Sequence, residues 1–263
     1  MAKKKRSRAI GRFASLNGEA TTREFDEGQE VIQAEINEIA KYVGHELEPK
    51  TKAAAIAAAE VTADTIDRGI VMMLAMTHER LACVAGCNFC CQTPTGVLVP
   101  EIARIVDHAE RNFDPEVLDR VRSRAQVNAE KTHGKHKNDY PRHLPCALLG
   151  EDGHCLAYDV RPVTCRFAHS RSIEQCKKDQ DPPQPVLEML VAGELTLVGA
   201  ATGIRAVTGD GMLYELQEAL HIALSTPDAV ERWLAGDNVF SSAQIESEPV
   251  TVWESINTRD AQN

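Results

Sequence analysis

Cys83-Val-Ala-Gly-Cys87-Asn-Phe-Cys90-Cys91 places four of the chain's eight cysteines within nine residues. The other four are Cys146, Cys155, Cys165 and Cys176, so every cysteine lies between positions 83 and 176 and the flanking segments hold none. Cysteines that serve only as core filler would be scattered. Spacings such as Cys87-x-x-Cys90 instead let two thiolates from one tight turn reach a single ion, and Gly86 lets the backbone turn between the first two. This stretch predicts a loop-rich, metal-binding cysteine cluster, holding at most a short β-hairpin, set into a mainly α-helical protein.

Upstream, Ile32, Ile36, Ile39 and Val43 recur at helical spacing and predict an amphipathic helix from Glu24 to Val43. Glu48-Pro49 ends it, because the residue before a proline avoids helical backbone angles. A second helix is expected from Thr51 to Ala82, rich in alanine at its start, with Gly69 as a weak point. Its methionines Met72, Met73 and Met76 read as core filler rather than soft metal ligands.

Downstream, Gln92 to Gly96 reads as loop and Val97-Leu98-Val99 as a short extended piece. Pro100-Glu101 and Asp114-Pro115-Glu116 each open a helix. Lys131 to His143 reads as an exposed polar loop, with His133, His136 and His143 solvated rather than ligating. Glu151-Asp152-Gly153 has hairpin-turn chemistry that draws Cys146 and Cys155 together. Asp179 to Pro185 closes the cysteine region as a proline-rich linker. Three more helices are expected: Val186 to Gly199, one carrying Leu213, Leu216, Leu220 and Leu224, and one from Thr226-Pro227-Asp228 to near Gly236. The chain thus divides into a basic arm (1–23), N-terminal helices (24–82), the cysteine region (83–180), C-terminal helices (181–238) and an acidic tail (239–263).

The 263 residues are 43% hydrophobic and carry a net charge of −10. That length buries a real core, and the acidic balance argues against specific nucleic-acid binding, which needs a basic surface. No apolar run approaches the roughly 20 residues of a membrane helix. The basic N-terminus (Lys3-Lys4-Lys5-Arg6) is not followed by a signal-peptide core. The protein is therefore expected in the cytoplasm, where thiols stay reduced and clustered cysteines bind metal rather than form disulfides.

Thiolates are soft ligands and favour zinc, iron–sulfur clusters or cuprous copper over magnesium or calcium. Eight cysteines suit two four-cysteine centres, or one centre with spare thiols. Adjacent Cys90 and Cys91 cannot comfortably face one tetrahedral ion, so they serve neighbouring ions or one lies outside the ligand set. Four thiolates around a divalent ion leave about two negative charges to compensate. Arg161 and Arg166, bracketing Cys165, are the expected cofactor-binding counter-charges, through hydrogen bonds to sulfur or nearby carbonyls.

Taken together, Cys83-x3-Cys87-x2-Cys90-Cys91, then Cys146, then Gly153-x-Cys155-x2-Tyr158-x2-Arg161-Pro162-x2-Cys165-Arg166 resembles the zinc- or iron-chelating cysteine-cluster family named for its CxxCxxCC motif. The resemblance spans about positions 80 to 170. It implies a shared set of about eight chelating cysteines and a relation to a flagellin lysine N-methylase. Members often have Pro and Phe beside the cysteine of the Cys146 block, where this chain has Cys146-Ala-Leu-Leu. Cys176 matches the eighth position less closely than the other seven match theirs.

The leading expectation is a metal-binding protein that holds Zn2+ or iron, for metal handling or a structural role, with no catalytic residue assigned. A second reading is an iron–sulfur enzyme, methylase-like or radical S-adenosylmethionine-like. Cys83-x3-Cys87-x2-Cys90 with Phe89 looks like the motif in which three thiolates hold a 4Fe-4S cluster and leave one iron open. Against it, the chain shows no alternation of strands and helices for the barrel of those enzymes. A third reading is a thiol redox sensor using Cys90-Cys91.

Overall fold

The computed structural model describes residues 22–77, 80–84, 86–135, 139–141, 143–177 and 186–245, with side chains from residue 30 onward and excluding 76 and 77. Most of the arm, the tail beyond Ile245, the Asp179–Pro185 linker and His136 lie outside them.

The expected Ile/Val stripe forms α1, Thr22–Leu47, which buries Ile39, Val43 and Leu47. Thr51 opens the next helix by accepting the Ala54 N–H at 3.1 Å. That helix, α2, is Lys52–Thr77, ending short of the expected Ala82. Its small residues Ala55, Ala58 and Ala59, with Ile66 and Ile70, face the core, and Met72 and Met73 are half-buried. Beyond the cysteine loop come β1 (Gly96–Val97), α3 (Val99–Asn112) and α4 (Pro115–Thr132). Two five-residue helices, α5 (Val163–Phe167) and α6 (Ile173–Lys177), carry Cys165 and Cys176. Then follow α7 (Leu187–Thr208), β2 (Tyr214–Glu215), α8 (Leu216–Ser225) and α9 (Ala229–Leu234). The protein is mainly α, as its sequence patterns imply.

The helices form two groups. Helices α1, α2 and α7 pack together, as do α3, α4 and α8, and α2 against α3 joins the groups. Helix α7 differs from its sequence expectation, because it passes through Gly199 and ends only at Gly209, whose φ of +83° closes it. A Cβ on Gly199 would lie 2.6 Å from Ile39 Cβ, and one on Gly203 would lie 2.3 Å from the Ala40 carbonyl oxygen. These glycines let α1 and α7 approach closely rather than stop a helix. By length and composition alone α7 is also apolar enough to cross a membrane, although Glu188, Glu194 and Arg205 interrupt its apolar residues; half of that stretch is buried within the fold.

Residues 239–245, at the head of the expected acidic tail, dock against the fold: Phe240 and Ala243 are buried, and the Ile245 N–H donates to the Leu213 carbonyl at 2.9 Å. Phe240 is the largest side chain this stretch buries, and burying a phenylalanine stabilises by roughly 1.5–3 kcal/mol.

Strands β1 and β2 pair antiparallel, Gly96 opposite Glu215 and Val97 opposite Tyr214. This ladder joins the exit of the cysteine loop to the entrance of α8. The Leu216 N–H extends it by donating to the Thr95 carbonyl at 2.9 Å.

Candidate metal centre

The Cys83–Cys91 loop turns where expected, with Gly86 at φ +80°. A short 3-10 turn, Cys90–Gln92, follows. The segment around Cys146 runs beside that turn: the Leu144 N–H donates to the Gln92 carbonyl at 3.2 Å and the Cys146 N–H to the Cys91 carbonyl at 2.8 Å. The expected hairpin is present. Leu149 bridges Cys155, Gly150 N–H donates to His154 carbonyl at 2.7 Å, and Gly153 takes φ +81°. That hairpin tip packs on the first loop, with His154 beside Gly86 and Asn88 beside Gly153.

Cys165 arrives on α5, whose first N–H, Val163, donates to Glu101 Oε1 at 2.7 Å while Glu101 Oε2 takes the Leu98 N–H at 2.8 Å. The carboxyl of Glu101 is buried and so satisfies the starts of α3 and α5 at once; burial raises its pKa against those two bonds. Cys83 is anchored to the segment after α5, where the Ser170 N–H donates to its sulfur at 3.4 Å. Cys176 Sγ donates to the Ser172 carbonyl at 3.5 Å.

All eight cysteines are free and half-buried. They are close enough to act on one another electrostatically. Burial pushes the Cys165 thiol well up, and charge on Cys146, Cys90 or Cys155 pushes it further. Cys146 is held at about 11, chiefly by burial. Cys155 is raised by burial, opposed by the Ala157 backbone and by Arg161. Cys83 is raised by burial and by Cys87, Cys90 and Cys176. Cys90 and Cys91 share a hydrogen bond that lowers the pKa of the first and raises that of the second.

Two nitrogen atoms are buried without a hydrogen-bond partner among the described residues, Arg161 Nε and His169 Nδ1. Arg161 lies over the Tyr158 ring at 3.9 Å and its charge favours the thiolates of Cys90 and Cys155. Arg166 is committed elsewhere. Its three nitrogens reach Asp67 Oδ2 (2.6 Å) and the carbonyls of Arg161 (2.8 Å) and Asp159 (2.6 Å). It makes none of these bonds to sulfur; two of the three go to neighbouring carbonyls.

Free, half-buried thiols with a guanidinium beside them suit a soft cation. Among the described residues, however, no three His, Cys, Asp or Glu side chains stand close enough around one point to hold an ion. Of the loop histidines, His133 is not simply solvated: its Nδ1 lies 2.8 Å from buried Glu218 Oε1, which raises its pKa.

Two residues escape a reading by sequence. His169 stands four residues after Cys165, a spacing that metal ligands use; it is half-buried, with its Nδ1 atom enclosed. Gln217 donates its Nε2 hydrogen to Cys146 Sγ at 3.1 Å across 71 residues of sequence; Glu218 and His221 share its helix, so nothing in the sequence singles it out.

Fold and site together are those of a mainly helical protein with a cysteine-rich segment built into it. Residues 82–183 match the CxxCxxCC family, described as a "putative zinc- or iron-chelating domain". No curated protein and no solved structure matches the chain.

Proposed function

We propose that this chain binds zinc or iron through its eight cysteines in two neighbouring four-thiolate sets. One set is Cys91, Cys146, Cys155 and Cys165; the other is Cys83, Cys87, Cys90 and Cys176. The observation behind this reading is the pattern of mutual influence among the thiols: Cys91 with Cys146 and Cys155, Cys165 with Cys146, Cys90 and Cys155, and Cys83 with Cys87, Cys90 and Cys176, so that Cys90 stands between the two sets. Adjacent Cys90 and Cys91 then face different ions. A bound ion would supply the positive charge that lets buried thiols stay ionised, and Arg161 contributes further compensation.

Since the thiols do not converge on one point, loading entails closure of the loops that carry them. That is the ordinary coupling of metal binding to local folding, with apparent zinc-site energies of about 10–16 kcal/mol in small domains. A role in metal handling or in stabilising the helical body fits such a centre in the cytoplasm.

Metal and acid-labile sulfide analysis of anaerobically purified protein, with a visible spectrum, tests this reading. Two colourless zinc ions per chain, or iron with sulfide and visible absorption, supports it and identifies the metal. Metal-free protein whose cysteines are paired as disulfides overturns it.

A further inference from the structure

We infer that Gln217 is a positioning residue for the Cys146 thiolate, supplying from outside the 82–183 segment an N–H that the sulfur needs when it ligates. The inference rests on the metal-binding reading above.

The orientation of the Gln217 amide is decided by groups that have no choice of role. The Pro145 carbonyl can only accept, so the Asn128 Nδ2 group faces it at 2.9 Å and gives its other hydrogen to Gln217 Oε1 at 3.1 Å. The Ala147 backbone N–H can only donate, and it reaches the same Oε1 at 2.8 Å. With Oε1 held by two donors, Nε2 is left facing Cys146 Sγ at 3.1 Å. Rotating the amide by half a turn would set Nε2 against both donors. Asn128 and Gln217 are both buried, so water does not substitute for these bonds.

The fold holds this amide in place from three sides. The β1–β2 register delivers the first turn of α8 beside the cysteine loop, α4 brings Asn128, and the Pro145–Ala147 backbone contacts both amides. An N–H directed at sulfur stabilises the ionised form over the neutral thiol and fixes the direction of the remaining lone pairs.

Gln217→Glu keeps an Oε1 that accepts from Asn128 and Ala147 while the donor toward sulfur is replaced by an acceptor oxygen. Gln217→Leu removes the whole amide. For full-length protein titrated with Co2+, both variants are expected to bind about 10–100-fold more weakly than wild type and to shift the sulfur-to-cobalt charge-transfer band. Unchanged affinity and band position in folded variants overturns the inference and leaves the metal reading standing. Should Gln217→Leu fail to fold, the near-isosteric Gln217→Glu decides. A wild-type chain that takes up no Co2+ sinks the metal reading instead. In that case the Gln217 side-chain amide proton resonances of the metal-free chain settle the contact: Cys146→Ala is expected to move them, and unmoved resonances overturn it.

Discussion

Arg166 Nη1 lies 2.6 Å from Asp67 Oδ2, tying the short helix that carries Cys165 to the middle of α2. The Arg166 side chain is almost wholly buried, at 7% exposure, whereas that of Asp67 is about half exposed. The arginine therefore depends on all three of its partners, and the cysteine region is built into the helical body rather than appended to it.

Replacing Arg166 by Met should destabilise the metal-free protein by about 3 kcal/mol, because the Asp159 and Arg161 carbonyls lose their donors along with the ion pair. Asp67→Asn should cost only about 1 kcal/mol, since the arginine keeps both carbonyls. Urea unfolding of the two variants measures the difference. Equal losses would mean that the carbonyl bonds contribute nothing.

The glycines of the helical layer should respond in opposite directions. Gly203→Ala forces a Cβ to within 2.3 Å of the Ala40 carbonyl oxygen, so α1 and α7 must separate; the expected loss is about 2 kcal/mol. Gly69→Ala meets nothing closer than Ala192 Cβ at 3.8 Å and should stabilise α2 by about 0.5–1 kcal/mol. Thermal unfolding of both variants checks the pair.

Glu215 makes stability fall with rising pH. Burial pushes its carboxyl up to about 7, against about 4.3 in an unfolded chain. The folded state thus holds the extra proton, so the contribution is complete below about pH 4.3 and is lost as pH rises through about 7. Glu215→Gln removes this dependence. Its stability relative to wild type should increase from pH 5 to pH 8 by on the order of 2 kcal/mol, read from urea midpoints across that range. A difference independent of pH would show that the carboxyl does not titrate there.

The two cysteine sets predict how metal is lost. Cys165→Ser should lower bound metal by one equivalent, and so should Cys83→Ser or Cys87→Ser. Cys165→Ser combined with Cys83→Ser should abolish binding, and elemental analysis of the folded variants counts the ions. Full metal content in Cys83→Ser and Cys87→Ser would remove those residues from the site.

The clustering of cysteines, the helical periodicities and the turn residues are local properties, and they make the helical class, the hairpin before Cys155 and the turn at Gly86 legible in the chain itself. The departures share one cause. Gly199 looks like a helix end and Phe240 like part of a loose tail because local propensity is silent about what packs opposite: Ile39 in the first case, the Tyr214 ring in the second.

The same distinction holds at the site. The chain by itself determined that its soft-ligand side chain types cluster in one region, since residue type and spacing are local properties. Tertiary structure alone decided that Arg166 turns to Asp67, that Arg161 stays beside the thiols, and that Gln217, 71 residues beyond Cys146, directs an N–H at its sulfur. Such partners are brought together by strand register and helix packing, and burial makes their bonds obligatory; neither leaves a mark in the spacing of nearby residues.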